Sequence, residues 1–188
     1  MMKEFKLNGR EVVLEIGKED HFQQFLSFIN EIKDDPENFN LFRYREPESL
    51  RLKSWVSSWK GNVMLAFHDE KVVGFSQMAE PVFGNLQNHV KEFAISLSKE
   101  FRGSGLAQLM FLNHLNLYPD VKKITAWVDV RNVRSIRMLT NAGMQKKCVL
   151  EDFIYSQRER TYCSVTFLMG DVNVIRDNLL TKLKSKNI

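Results

Sequence analysis

Hydrophobic positions change period several times along the 188 residues, and each change predicts an element. Phe5 to Leu7 and Val12 to Ile16 are short β-prone stretches joined by Asn8-Gly9, the two-residue signal of a tight hairpin. From Asp20 onward, Phe22, Phe25, Leu26, Ile29 and Ile32 recur every three or four residues. That spacing places them on one face of a helix, which Asp34-Asp35-Pro36 ends. A polar and aromatic stretch through Phe39, Phe42 and Tyr44 leads to Pro47, a residue suited to the first turn of a second helix carrying Leu50, Trp55 and Trp59. Alternation then takes over. Val63, Leu65 and Phe67 before Asp69-Glu70-Lys71, and Val72 to Met78 after it, predict a hairpin in which Gly74 marks a bulge or kink.

Residues Glu80 to His89, with Pro81 and Gly84, read as a loop before the strand Lys91 to Leu97. The helical run from Leu106 to Leu117 follows, closed by Pro119-Asp120. After it come an alternating strand, Ile124 to Val130, and a short helix, Arg134 to Asn141, ended by Gly143. Met144 to Tyr155 and Arg160 to Met169 form an antiparallel pair. Val172 to Leu183 is a last helix, with Lys182, Lys184 and Lys186 near its negative end. Helices interleaved with antiparallel and parallel strands specify an α/β protein with a mixed α+β sheet in three layers. Its ligand is expected at the carboxyl end of the strand that precedes the glycine turn. No internal repeat, low-complexity segment or interdomain linker interrupts the pattern, so residues 1–188 read as a single domain.

Composition narrows the partners. The 27 basic and 23 acidic side chains leave a net charge of +4, spread along the chain rather than gathered in a block. This gives little support to a nucleic-acid partner and suits an anionic cofactor. No apolar run approaches the roughly 20 residues of a membrane span, and Met1 to Lys6 lack the apolar stretch of a secretion signal. A soluble cytoplasmic protein with no membrane partner is the expectation. Cys148 and Cys163 are too few for a disulfide framework and lack neighbours at metal-ligand spacing, so both read as reduced strand residues and no metal site is expected.

The richest segment runs from Glu92 to Ala107, a strand that passes directly into Arg102-Gly103-Ser104-Gly105 and then a helix. Such a turn leaves backbone N–H groups unpaired at a helix N-terminus, a natural seat for phosphate. The alternative is a tight helix entry with no ligand. Leu97-Ser98-Lys99-Glu100-Phe101-Arg102-Gly103-Ser104-Gly105-Leu106-Ala107 resembles the acetyl-CoA motif of the general N-acetyltransferase (GNAT) superfamily, a strand ending in a Val-Ser-Pro-Glu-Tyr-Arg-Gly-Lys-Gly-like turn. A second block resembles the family in the right order: Val128-Asp129-Val130-Arg131-Asn132-Val133-Arg134-Ser135-Ile136-Arg137, leading to Ala142-Gly143-Met144. The resemblance covers residues 60–169, and Asn132-x-x-Ser135-Ile136-Arg137 is most similar to the branch containing ribosomal-protein N-terminal acetyltransferases.

The resemblance implies a GNAT-like three-layer fold with acetyl-CoA at the splayed end of what the family counts as strands 4 and 5. Backbone N–H groups of Arg102, Gly103, Ser104, Gly105, Leu106 and Ala107 would hold the pyrophosphate, and the main chain of Ile95 and Leu97 would pair with the pantetheine arm like an added strand. The Leu97 N–H would serve as oxyanion donor. Arg102 either adds charge near a phosphate or is a plain solvated arginine. Asn132 either reaches the cofactor arm or caps the next helix, and the two roles are compatible.

Chemistry is less legible. Many family members carry a tyrosine four residues before the glycine of the second block, to protonate the departing thiolate. This chain has Leu139 there. In the resembling branch a serine takes that role, which makes Ser135 the candidate acid; the rival reading is a first-turn serine satisfied by nearby backbone. For the base, Glu92 and His89 begin or precede the signature strand, with the alternatives of a strand-face carboxylate paired to a basic neighbour and a loop histidine with no task. The expected activity is acetyl transfer from acetyl-CoA to a primary amine, on a small molecule or a peptide, by direct attack in a ternary complex. The alternative is a catalytically weak CoA-binding or sensory module. The aromatic stretch from Phe39 to Trp59 lies where this superfamily shapes its acceptor pocket, and the long last hairpin and C-terminal helix leave room for a homodimer.

Overall fold

A computed structural model describes residues 2–46, 48–186 and 188. Pro47 lies outside the described residues, as do the side chains of Phe42 and Leu50. Among the described residues the strands form one eight-stranded sheet in the order β1-β2-β3-β4-β5-β6-β8-β7. β1 (Met2–Leu7) and β2 (Arg10–Ile16) are the opening hairpin, with Asn8 and Gly9 at φ 50° and 82°, the left-handed pair that a twisted two-residue turn requires. β3 (Val63–His68) and β4 (Lys71–Ala79) form the second hairpin. A register shift between Ala66 and Phe67 leaves Val73, next to Gly74, as an extra residue of β4, the expected bulge. Gly74 has a packing reason too, since a Cβ there would lie 2.5 Å from Leu97 Cδ2.

β5 (Val90–Leu97) pairs antiparallel with β4 and parallel with β6 (Lys123–Asp129), whose other edge carries β8 (Thr161–Asp171) and then β7 (Gln145–Ser156). Period-2 alternation assigns side chains to two faces. Met64 and Ala66 join Phe93, Leu97, Ile124, Ala126 and Val128 in a core with α4 (Leu106–Leu115) and α6 (Val172–Ser185), to which α5 (Val133–Asn141) adds Ile136 and Leu139. Val63, Leu65 and Phe75 face the other way and pack with α1 (Phe22–Ile32) and α3 (Ser49–Ser57). The predicted three layers are thus observed. Phe25 anchors the second core, edge-on to both Trp59 and Phe75.

Two departures matter for the site. The polar and aromatic stretch contains a one-turn helix, α2 (Leu41–Tyr44), which periodicity did not predict because four residues carry no period. Trp59 lies beyond the end of α3 rather than on it, buried, with its backbone N–H donating to the Val56 carbonyl.

Candidate active site

The central feature is a gap. Among the described residues β5 and β6 pair only at Val90↔Lys123, Lys91↔Ile124 and Glu92↔Thr125, and from Phe93 onward no strand lies on the edge of β5 facing β6. Its hydrogen-bonding phase follows from the register. Ser98 donates to the Val73 carbonyl, and Val73 opposes Ser98 one step beyond the Gly74↔Leu97 pair, so Ser98, Ser96 and Ala94 bond to β4. Ile95 and Leu97 therefore turn their N–H and C=O groups into the gap, the arrangement an extended ligand needs to add as a strand. The Leu97 carbonyl already accepts a 3.3 Å bond from Arg102 Nη2, and its N–H points toward the opening.

The glycine turn lies at the end of this edge. Gly103 and Gly105 have φ of 77° and 100°, and Gly105 is the N-cap of α4. Ser104 Oγ donates to the Phe101 carbonyl and accepts from the Leu106 N–H at 3.2 Å, bracing the turn. Arg102 N–H is spent on the Lys99 carbonyl. The N–H groups of Gly103, Ser104, Gly105, Ala107 and Gln108 have no partner among the described residues. These are the orphan donors of a helix start, and they border a cavity of about 560 Å³ that runs along Ile95, Ser96 and Leu97.

Arg102 lines this cavity and is not the plain solvated arginine of the alternative reading. Its side chain is only 12% exposed and is tied to Asp35 at 2.5 Å and Glu37 at 3.4 Å. Burial pushes the Asp35 carboxyl up, but the Glu37 N–H and the Arg102 guanidinium outweigh it and hold that carboxyl below the usual range. Lys99, Arg134 and Lys186 also border the turn end of the cavity, Arg134 paired with Glu37 at 3.3 Å and Lys186 with Nζ 3.3 Å from the Gly103 carbonyl. Lys186 was legible only as a favourable charge at a helix end, because nothing along the chain signals that α6 finishes beside residue 103.

A second cavity, of about 480 Å³, opens on the other side of the gap. The two share Phe39, Ile95, Ser96, Asn132 and Ser135 as common walls. Asn132 Oδ1 accepts from the Ser135 N–H at 3.1 Å, so the N-cap role is real and the side-chain NH₂ is left toward the cavities. The Ser135 hydroxyl makes no hydrogen bond among the described residues, contrary to the reading in which nearby backbone satisfies it. Leu139, buried, lines the second cavity where the resembling tyrosine would project.

Glu92 lies on the floor of this second cavity. Among the described residues it has no basic partner; its contact is the indole of Trp127, whose Nε1 donates to Oε2 at 2.8 Å. Burial pushes the carboxyl above its ordinary pKa and the indole bond only partly offsets this. His89 is exposed at the opposite end of β5, lines neither cavity, and its carbonyl is bonded to the N–H groups of Lys122 and Lys123. The structure therefore does not bring His89 to the other candidates.

The roof is the segment from 33 to 46. Arg158 holds it through the Lys33 carbonyl, Asp34 at 2.5 Å and Glu46 at 3.1 Å. Arg43 pairs with Glu159 at 2.9 Å, and Tyr44 OH donates to Asp129 at 2.9 Å. Burial would raise the Asp129 carboxyl, but Arg131 and Tyr44 together hold it below the usual range. Phe39 lies under the Arg43 guanidinium, 4.3 Å from its centre.

An unpaired strand edge leading to an anion-binding helix start, beside a second enclosed cavity, is the architecture of an acyl-CoA site. Residues 26–144, well over half of the chain, match the family described as acetyltransferase (GNAT) family. The chain belongs to the GNAT acetyltransferase family, and is an acyltransferase with acetyl-CoA as cosubstrate. No curated protein sequence matches it. Among solved structures, it superposes on an N-acetyltransferase from Staphylococcus aureus with TM-score 0.72 at 14% identity, over 86% of this chain and 98% of that one. A ribosomal-protein-alanine N-acetyltransferase from Brucella melitensis gives 0.70 at 15%, over 84% and 98%. Mycobacterium smegmatis RimJ, solved with CoA-disulfide, gives 0.71 at 14%, over 96% and 93%. At such identities the likeness is one of fold. No helix among the described residues is long and apolar enough to cross a membrane.

Proposed function

We propose that residues 1–188 act as one N-acetyltransferase unit that moves acetyl from acetyl-CoA to a primary amine by direct attack in a ternary complex. The observation that carries this reading is the meeting of two cavities at Ile95, Ser96, Asn132 and Ser135, one ending in unpaired N–H groups and the other floored by a carboxyl. Acetyl-CoA supplies an activated thioester. Gly103, Ser104, Gly105 and Ala107 hold the pyrophosphate through backbone N–H groups, with Leu106 and Ser104 bracing the turn. Lys99, Arg134 and Lys186 add charge. The outward N–H and C=O groups of Ile95 and Leu97 orient the pantetheine, and the Leu97 N–H faces the carbonyl oxygen that gains charge.

Glu92 accepts the proton of the incoming ammonium, and the burial that raises its carboxyl makes it a stronger base than a solvated glutamate. The C–N bond forms as the thioester C–S bond breaks. A thiol with a pKa near 8.5 leaves with little help. Ser135, whose hydroxyl makes no hydrogen bond among the described residues, is assigned to pass the second proton of the attacking nitrogen to the departing sulfur, so that its own hydroxyl is restored. The missing tyrosine at Leu139 is therefore no bar to turnover.

The test is acetyl-CoA binding by thermal unfolding, paired with release of free thiol in the presence of amines. Gly103 is a poor place for a blocking mutation because its φ is positive, so the block belongs at Ala107. Ligand at one hundred times its Kd adds about 2.7 kcal/mol, roughly 5 °C or more for a chain of this size. Ala107→Glu should abolish the shift while the protein stays folded. Absence of a shift in the native chain would reject the cofactor site. A shift without thiol release would favour the CoA-binding module.

A further inference from the structure

The charges around the second cavity point to a particular kind of acceptor. Glu46 is paired to Arg158 at 3.1 Å and Lys33 at 3.6 Å, and Glu48 to Arg51 at 2.9 Å. Asp129 is held by Arg131 at 2.6 Å and by Tyr44. Of the carboxylates that line this cavity, Glu92 alone has no cationic partner among the described residues. A single available carboxylate serves a single ammonium group; a polyamine would carry further charges to rim carboxylates already neutralised.

The rest of the lining mixes polar side chains, among them Arg45, Gln77 and Ser96, with the rings of Tyr44, Trp55, Phe75, Phe93 and Trp127. Trp127 is 40% exposed although it lies beside the floor, and it stacks on Phe153, 56% exposed, with centroids 5.6 Å apart and planes 12° from parallel. Phe167 lies 4.4 Å from Trp127 on the same face. Helices α1 and α3 cover the face over β3 and β4, and this aromatic shelf lies exposed next to the cavity. Because the Trp127 indole is hydrogen-bonded to Glu92, an amine held by that carboxyl has its next one or two carbons at the indole ring.

We infer that the acceptor is a monoamine whose amino group is joined by a short linker to a planar apolar body, an arylalkylamine, with Glu92 taking the amine and Trp127 stacking on the body. This rests on the acetyl-transfer reading above. Stacking of this kind, with ring centroids 4.5–7 Å apart, is a regular source of selectivity.

The experiment compares 2-phenylethylamine, methylamine, spermidine and a hexapeptide with a free N-terminus as acceptors for the full chain with acetyl-CoA. 2-Phenylethylamine is expected to show the highest kcat/KM, by about tenfold or more. Trp127→Ala should collapse the ratio of 2-phenylethylamine to methylamine while the acetyl-CoA thermal shift persists, a change that a merely structural role would not produce. A preference for spermidine or the hexapeptide, or a ratio unchanged in Trp127→Ala, overturns the inference. If acetyl-CoA binds but no amine is acetylated, the transfer reading has failed separately. Calorimetric titration of 2-phenylethylamine into the protein with CoA then decides the acceptor site: binding lost in Trp127→Ala supports it, and no binding to the native chain rejects it.

Discussion

The guanidinium of Arg102 bridges Asp35 at 2.5 Å to the Leu97 carbonyl at 3.3 Å, and so ties the end of the open strand to the roof of the second cavity. A residue of the cofactor motif thus holds a segment nearly seventy positions away in sequence. The same roof is pinned from the other side by Arg158 and Arg43.

Removing Arg102 should loosen both. Arg102→Ala leaves the Asp35 carboxylate, 15% exposed, without its cation. Losing one member of a largely buried pair costs roughly 1–3 kcal/mol, read as a fall in Tm. The native Asp35 carboxyl is depressed, so its contribution to stability is complete above the unfolded-state pKa and lost as pH falls through the folded one. The Tm difference between native chain and variant should therefore shrink on acidification below pH 4. A constant difference would show that the pair carries no linkage.

Glu92→Gln separates catalysis from stability. Loss of a general base lowers kcat by about 10²-fold or more, with the acetyl-CoA shift retained. Burial raises the native carboxyl pKa, so the folded state binds more protons than the unfolded between the two values, and stability falls as pH rises through that window. The amide removes this cost. At pH 7 the variant should be as stable as the native protein or more so, and the acidic limb of the pH–rate profile should disappear. A less stable, fully active variant would contradict both halves.

Lys186→Ala tests the charge that α6 brings to the glycine turn. Removing a cation near a bound phosphate raises the KM for acetyl-CoA by about three- to tenfold, the range of one charge-assisted hydrogen bond. The KM for the amine should stay unchanged, and the effect should weaken with added salt.

Gly74→Ala probes the bulge behind the open strand. The new Cβ would lie 2.5 Å from Leu97 Cδ2 and 3.3 Å from Met110 Sδ, so Leu97 must move. Overpacking of this kind costs about 1–3 kcal/mol. Because Leu97 is also the proposed oxyanion donor, turnover should fall more steeply than acetyl-CoA binding.

The candidate site was partly legible in the chain. Glycines at 103 and 105 and the periodic strand before them announced an anion seat, because positive φ and orphan N–H groups are local properties of a few consecutive residues. Arg102 was legible as a motif position and illegible in its role, since its partners Asp35 and Glu37 arrive from another layer. His89 and Glu92 are three residues apart in sequence and were equal candidates. Only the strand direction, with the gap opening after Glu92, separates them.

The amino-acid sequence by itself determined the succession of hairpins, strands and helices and the glycine turn at a helix start, because hydrophobic period and backbone conformation are set within a few residues. The tertiary structure alone decided which carboxylates stay unpaired, where Lys186 ends up, and that Trp127 adjoins Glu92. Those depend on burial and on contacts between residues 35 to 125 positions apart, where charge pairing and desolvation have no local signature.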